Sequence, residues 1–247
     1  MCSSDLDEWD ELSENLNSML DRIETLMREV KQVSDNVAHD LRTPLARIRG
    51  RLEKAYNKQS SGNDQSLIGD TIADLDAVLR MFASLMRISQ IEAHDRTTAF
   101  RSVNLVEITR EVVELFDAAA EENGGHLRAA ADGRVLVRAD RDLLFEAVAN
   151  LVDNAIKHGR HAAQVTVEVK ERDGTAVISV ADDGPGIPLN EYQNVFKRFY
   201  RLERSRGTPG NGLGLSLVAA VARLHGAQIE LTDNAPGFKI ALRFSSA

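Results

Sequence analysis

The sequence predicts a multidomain chain with two folded units of different class: an all-α helical hairpin that dimerises into a four-helix bundle, followed by an α+β sandwich. Two patterns carry this prediction. Apolar residues in the first part recur in steps of three and four, whereas the second part mixes short alternating runs with helical segments. A chain of 247 residues also exceeds one average domain. We expect the sandwich to contain a mixed sheet covered by helices on one face.

The composition excludes several functions. The chain carries 28% charged and 43% hydrophobic residues, with a formal net charge of -8. Such an acidic chain is poorly suited to neutralise phosphates, so we expect no nucleic-acid partner. The single cysteine, Cys2, excludes an internal disulfide and gives no zinc-ligand spacing. No stretch reaches the roughly 18 consecutive apolar residues of a membrane span, so we expect this portion to be cytoplasmic and to make no membrane contact.

The first helix is predicted by a heptad seam. A narrow apolar stripe is buried only against a partner helix, which we expect from a second copy of the chain. Four-residue steps follow one another between Val33 and Leu45, a stutter that changes the local supercoil. With Pro44, the stutter indicates either a plain kink or a flexible point where the upstream coil could rotate. The seam consists of Trp9, Leu12, Leu16, Met19, Ile23, Leu26, Val30, Val33 and Val37.

Charge is distributed unevenly along this helix. Residues 5–24 hold eight carboxylates against one base, whereas the stretch 42–54 is basic. The basic stretch is compatible with an acidic protein partner and equally with a solvated helix face. Its cationic residues are Arg42, Arg47, Arg49, Arg51 and Lys54.

A second amphipathic helix is expected between Leu67 and Ile91, after a polar turn over residues 57–66. The two helices are predicted to fold back on each other as a hairpin, and two hairpins make a four-helix bundle. Residues 94–102 are polar and lack periodicity, which is typical of a linker.

The second unit is defined by alternating strand and helix signals. We expect helices over 105–120, 140–158 and 213–224, with Asn104 and Asp140 as N-caps. Strands are expected over 126–130, 134–138, 165–169, 175–181, 228–232 and 238–244. The Walker phosphate loop is absent, and the glycines of 210–214 do not follow a strand within a βαβ unit. A Rossmann or P-loop assignment therefore fails on its context.

Five motifs resemble, in order, those of the histidine kinases, and together they span nearly the whole chain. They are VAHDLRTPL (37–45), NLVDNAIKH (150–158), DDGPGI (182–187), FKRFYR (196–201) and GNGLGL (210–215). The resemblance implies an ATP-binding sandwich of the Bergerat or GHKL type behind a dimerisation and phosphotransfer hairpin. It implies domains at 34–93 and 103–247, joined by a linker at 94–102. Residues 1–33 are similar to part of a HAMP signalling module, a generic acidic coiled coil being the alternative.

The resemblance implies phosphoryl transfer to His39. A neutral imidazole can attack the γ-phosphorus of ATP in line, which forms a phosphoramidate. Asp40 is expected to accept the proton or orient the ring. Thr43 shares the histidine's helical face, and in this family that position can orient water for dephosphorylation of a partner. The implied partners are a second copy of the chain and the receiver domain of a response regulator, whose aspartate takes the phosphoryl group.

The same resemblance assigns an ATP and Mg²⁺ site. Asn150 and Asn154 share one helical face where carboxamide oxygens can ligate Mg²⁺, and Asn154 is implied to be the main ligand. Lys157 is implied to lie near the phosphates and Asp182 at the exocyclic amine of adenine. Arg201 is expected to reach the γ-phosphate, with Arg198 and Arg204 as further candidates.

The glycines of the last motifs complete the expected site. Gly184 and Gly186 are expected to let the backbone approach the base. The implied phosphate cradle at the start of a helix, whose dipole favours anions, consists of Gly210, Gly212, Gly214 and Leu215.

Related ATPases of the gyrase and heat-shock-chaperone type carry a glutamate base where this chain has Asn150. An amide cannot accept the proton of an attacking water, which favours a kinase over an ATPase. A regulator dominated by phosphatase activity and a catalytically silent dimeric scaffold are the remaining alternatives. The intact motifs argue against the scaffold.

Overall fold

The structure, a computed structural model, describes residues 45, 48–50, 52–53, 62–93, 100–159, 162–172, 174–203 and 210–244. The predicted phosphotransfer residues His39, Asp40 and Thr43 lie outside the described residues, as does the heptad seam. The chain divides into two compact units, Met1–Ala93 and His94–Ala247.

The described part of the first unit is helical. Its long helix α1 spans Gly62–Ala93, so residues 62–66 belong to the helix and the predicted polar turn over 57–66 extends too far. Asn, Asp and Ser are common both in turns and at helix starts, which explains the error. Arg49 donates to Glu53 at 2.8 Å and to Asp76 of α1 at 3.2 Å, which links the helical residues 48–50 to α1. No helix among the described residues is long and apolar enough to cross a bilayer.

The second unit alternates strands and helices. Its strands are β1 (Arg101–Asn104), β2 (His126–Ala130), β3 (Leu136–Ala139), β4 (Gln164–Arg172), β5 (Thr175–Asp182), β6 (Gln228–Asp233) and β7 (Phe238–Phe244). Its helices are α2 (Leu105–Glu122), α3 (Arg141–His158) and α4 (Gly214–Leu224), with a 3-10 turn at Leu189–Glu191.

Five strands form a mixed sheet in the order β2-β4-β5-β7-β6, in which only β2 and β4 run parallel. The register places Val180 of β5 between Val167 and Ile240. All three are buried, and they form the apolar face of the sheet toward the helices. The opposite face carries charge, as in the 3.2 Å pair between Lys239 and Glu168. The sheet is thus the mixed, one-sided sheet that the strand pattern predicted.

The two helix caps are as predicted. Asn104 accepts from the Val106 N–H, and Asp140 accepts from the amides of Asp142 and Leu143 at 3.1 and 3.2 Å. Each cap satisfies amides that the first helical turn leaves unpaired.

Strand β1 was not predicted, and it takes the last two residues of the expected linker. It pairs antiparallel with β3, Arg101 lying opposite Ala139. Only Val103 of its four residues is buried, so its sequence gives no alternating apolar signal.

Candidate functional site

A cavity of about 350 Å³ opens at the end of β5, between α3 and the segment that leads into α4. This volume lies in the range of small-molecule sites. The cavity is lined by Asn150, Asn154, Lys157, Asp182, Gly186, Arg201, Gly210, Gly212, Gly214 and Leu215, all predicted to bind the nucleotide. Of the other predicted residues that the structure describes, Gly184 and the alternative arginine Arg198 do not line it.

Asp182 is placed by the alternation of β5. It follows Ile178 and Val180 on the face of the strand that points into the core, because side chains two residues apart share a face. Burial raises the pKa of its carboxyl, although hydrogen bonds from the backbone amides of Gly184 and Phe238 favour the charged form. The Gly184 bond is 2.8 Å long. A half-buried carboxylate at the side of the cavity can accept hydrogen bonds from an amino group of a ligand.

An apolar wall surrounds this carboxylate. It offers an apolar surface to a ring-shaped ligand and consists of Val180, Ile187, Val195, Phe238 and Ile240. Tyr192 packs edge-on against Phe238, with ring centroids 5.5 Å apart, and so supports the wall from one side.

Two glycines of the DDGPGI motif have different tasks. Gly186 lines the cavity in the left-handed region, at a φ of +69°. Gly184 is buried, and a Cβ there would meet the Asp182 Oδ1 at 2.8 Å and the His158 carbonyl oxygen at 3.2 Å. Gly184 therefore allows the loop to pack against the end of α3, and it does not line the cavity.

The opposite wall is the exposed face of α3. Asn150 donates from Nδ2 to the Glu146 carbonyl at 2.8 Å, which fixes the amide. A Cβ at Gly214 would lie 3.0 Å from the Asn150 Oδ1 and 3.3 Å from the Asn154 Nδ2. The bare backbone of Gly214 thus lets α4 begin directly against the two amides.

Lys157 reaches the same wall one turn later. Its Nζ lies 2.6 Å from the Asp153 Oδ2, an exposed pair one helical turn apart. This carboxylate, which sequence reasoning did not single out, also lines the cavity.

The FKRFYR and GNGLGL motifs meet at the rim. The Phe199 N–H donates to the Gly212 carbonyl at 3.0 Å, and the Arg201 Nη1 donates to the Gly210 carbonyl at 2.9 Å. Gly212 has a φ of +68°, and a Cβ there would meet the Tyr200 carbonyl at 2.8 Å. The two motifs therefore close the cavity as one unit, with Arg201 held at its edge. Arg204 lies outside the described residues.

Sequence reasoning also missed Tyr200 and Glu191. Tyr200 lines the cavity, and its hydroxyl donates to the Glu191 carboxylate. The Asn194 amide donates to the same carboxylate at 3.0 Å. The hydrogen bond from Tyr200 lowers the pKa of Glu191. No local sequence pattern predicts this cluster, because the 3-10 turn that carries Glu191 is only three residues long.

The described residues contain no group of three or more His, Cys, Asp or Glu side chains that could hold a metal ion. On α3 the cavity offers a hard cation the amide oxygens of Asn150 and Asn154 and the carboxylate of Asp153. The glycine-rich start of α4 offers backbone amides and a helix dipole to an anion.

Comparison with known families gives two matches in chain order. Residues 29–94 match the His Kinase A (phospho-acceptor) domain, and residues 139–246 match the histidine kinase-, DNA gyrase B- and HSP90-like ATPase domain. A solved mycobacterial sensor histidine kinase, MprB, is 30% identical over 59% of this chain and 96% of its own, with a TM-score of 0.52. The chain belongs to the sensor histidine kinases of two-component systems.

Two curated sensor proteins are similar in sequence to this chain over most of its length. The sensor protein IrlS of Burkholderia pseudomallei is 29% identical over 89% of this chain and 47% of its own length. The kinase/phosphatase MprB of a Mycobacterium species is 31% identical over 94% of this chain and 45% of its own length. The chain spans about half the length of these curated relatives.

The fold has a further counterpart in full-length ShkA, solved in complex with AMPPNP. Its TM-score is 0.72 over 87% of this chain and 46% of ShkA, at 23% identity. This likeness concerns the fold, and it agrees with the α+β sandwich described above.

Proposed function

We propose that this chain binds ATP with Mg²⁺, transfers the γ-phosphoryl group to its own His39, and passes it to an aspartate of a response regulator. One observation carries the proposal. A single cavity holds a carboxylate in an apolar wall on one side and two amides with a lysine, facing a glycine-rich helix start, on the other. This is the arrangement that a purine nucleoside triphosphate needs.

The carboxylate end suits adenine. Asp182 would accept from the exocyclic amine, while the apolar wall would cover the ring faces. Because the amides of Gly184 and Phe238 hold the Asp182 carboxylate, its position does not depend on the ligand. The solved AMPPNP complex of ShkA supports the choice of an adenine nucleotide at the level of the fold.

The opposite end suits phosphates. Backbone amides around Gly212 and Gly214 and the start of α4 would bind the phosphate oxygens, and Lys157 would add a positive charge. Bound phosphate would then compete with Asp153 for the lysine. Arg201, held at the rim by Gly210, is placed to approach the terminal phosphate.

Mg²⁺ would be held by Asn154, with Asn150 beside it, and by phosphate oxygens. The fixed amide of Asn150 fits this task, because its Nδ2 donates to Glu146 and its Oδ1 is turned toward Gly214. When bound, the ion neutralises charge on the transferring phosphoryl group.

Transfer uses residues of the first unit. The His39 imidazole forms the new N–P bond as the bond from the γ-phosphorus to the β–γ bridging oxygen breaks, and ADP leaves. Asp40 takes or orients the imidazole proton. Asn150 carries an amide, which cannot accept the proton of an attacking water, so this residue does not activate water for hydrolysis.

The domain organisation follows as part of the proposal. Residues 1–33 form a signalling coiled coil and 34–93 a dimerising phosphotransfer hairpin. The ATP-binding unit runs to residue 247 and begins with β1 at Arg101, two residues before the boundary expected from the sequence. The functional form is a homodimer and the cytoplasmic part of a membrane-anchored sensor, in keeping with relatives named sensor proteins.

Incubation with γ-labelled ATP and Mg²⁺ tests the kinase proposal. We expect acid-labile, alkali-stable label in the wild type, none in His39→Gln, and at least a tenfold loss in Asn154→Ala. His126→Gln, an exposed histidine on the edge strand β2, is the matched control and keeps the label. Label that persists in His39→Gln, or that resists acid, contradicts the proposal.

A second activity, dephosphorylation of the regulator, is favoured by the relative MprB, which is described as a kinase/phosphatase. We propose Thr43 as the residue that orients water for it. Thr43→Ala should slow loss of phosphate from a phosphorylated receiver domain while leaving transfer intact. Unchanged dephosphorylation rules this role out.

A further inference from the structure

The turn between β6 and β7 lies directly against the carboxylate end of the cavity. The Asn234 Nδ2 donates to the backbone carbonyl of Asp182 at 2.9 Å. The turn is itself braced, since the Asn234 N–H donates to the Gly237 carbonyl at 3.2 Å and the Ala235 N–H donates to the Asp233 Oδ1 at 3.0 Å. A braced turn of this kind can hold a neighbouring residue in place.

The contact is close as well as hydrogen-bonded. Gly237 is buried, and a Cβ there would lie only 1.8 Å from the Asp182 carbonyl oxygen. A Cβ at Gly186 would lie 3.1 Å from the Gly237 carbonyl oxygen. The next residue, Phe238, donates its amide to the Asp182 carboxylate. The turn therefore touches Asp182 and the cavity-lining Gly186, and it leads into a strand that holds the carboxylate.

We propose that Asn234 is a positioning residue for base specificity: by holding Asp182 at the end of β5, it sets the preference for a 6-amino over a 6-oxo purine. The inference rests on the proposed ATP site. A carboxylate accepts a hydrogen bond from the amino group of adenine, whereas it faces the oxygen of a 6-oxo purine with like partial charge. This discrimination requires the carboxylate to be fixed, because a mobile one moves away from the oxygen.

The test is titration calorimetry with MgATP and MgITP, two probes that differ at the 6-position of the base. The wild type should bind ATP more tightly than ITP. Asn234→Ala should reduce that preference by roughly three- to tenfold, the worth of one hydrogen bond. Asn234→Asp, which sets an oxygen against the Asp182 carbonyl, should reduce it at least as much. Thr232→Ala, on the charged face of the same hairpin, should keep it.

The outcomes separate this inference from the proposed function. A wild type that prefers ATP, with the same ATP-to-ITP ratio in both Asn234 variants, overturns the inference alone. Equal losses for ATP and ITP also overturn it, since they indicate a structural role. A wild type without ATP binding overturns both. Circular dichroism checks that each variant folds. If Asn234→Ala does not fold, the isosteric Asn234→Asp provides the test.

Discussion

Replacing Gly214 with alanine tests the geometry of the site at one atom. The added methyl would lie 3.0 Å from the Asn150 Oδ1 and 3.3 Å from the Asn154 Nδ2. Because Asn150 is bonded to the Glu146 carbonyl at 2.8 Å, its amide cannot move aside without weakening that bond. The start of α4 must therefore shift away from α3 by a few tenths of an ångström.

The magnitude follows from two opposing effects. Overpacking of this kind costs about 1–3 kcal/mol. Exchange of glycine for alanine in a helix contributes about 0.5–1 kcal/mol in the other direction, less at a first position. The net cost is about 1–1.5 kcal/mol, and it falls on the start of α4, where the phosphates would bind. If ATP binding loses this amount, it becomes roughly five- to tenfold weaker.

The assay is calorimetric titration of MgATP, together with thermal unfolding of each variant. Gly210→Ala is the matched comparison, because a methyl there meets nothing within 4 Å. We expect a clearly smaller loss of ATP binding for Gly210→Ala than for Gly214→Ala. The same overpacking should lower the Tm of Gly214→Ala by about 2–4 °C and leave that of Gly210→Ala nearly unchanged. If the two variants bind ATP equally well, the contact between α4 and the α3 amides does not shape the site.

Two titrating groups give further predictions. Burial raises the pKa of Asp182, so above the ordinary pKa of 3.8 the charged carboxylate destabilises the folded state. Asp182→Asn removes this charge, and we expect it to raise Tm at neutral pH and to abolish ATP binding. That gain should shrink as the pH falls toward 3.8; a lower Tm at neutral pH contradicts the assignment. Burial lowers the pKa of His225, whose neutral ring accepts from the Asp140 N–H at 3.0 Å and contacts the Val221 carbonyl at 2.8 Å. The hydrogen bond with the Val221 carbonyl and, to a smaller extent, the Asp140 carboxylate partly oppose this shift. The stability that depends on the neutral ring should be lost as the pH falls below the ordinary pKa of 6.5. His225→Gln should lower Tm at neutral pH and flatten its fall in thermal melts between about pH 7 and 5; an unchanged slope contradicts the role.

The parts of the fold that depend on local chemistry could be predicted from the sequence. Asn104 and Asp140 cap their helices as expected, because a cap needs only its own side chain and the next few amides. Strand β1 could not be predicted, since its partner β3 is about 35 residues away and it buries only Val103.

The same distinction between local and long-range contacts applies to the site. The motifs predicted which residues line the cavity, apart from Gly184, whose packing against the end of α3 depends on how the chain folds. The contact of Asn234 with Asp182 spans 52 positions, and no sequence pattern links the two. Contacts of this kind arise from strand order, which places β7 beside β5.

The most direct test of the whole account is ³¹P NMR of the chain after incubation with MgATP. We predict a phosphoramidate resonance in the wild type that is absent from both His39→Gln and Asp182→Ala. The first variant removes the acceptor and the second removes the base contact in the cavity. A wild type without the resonance, or an Asp182→Ala protein that forms it as fast as the wild type, contradicts the claim that this cavity supplies the phosphate for His39.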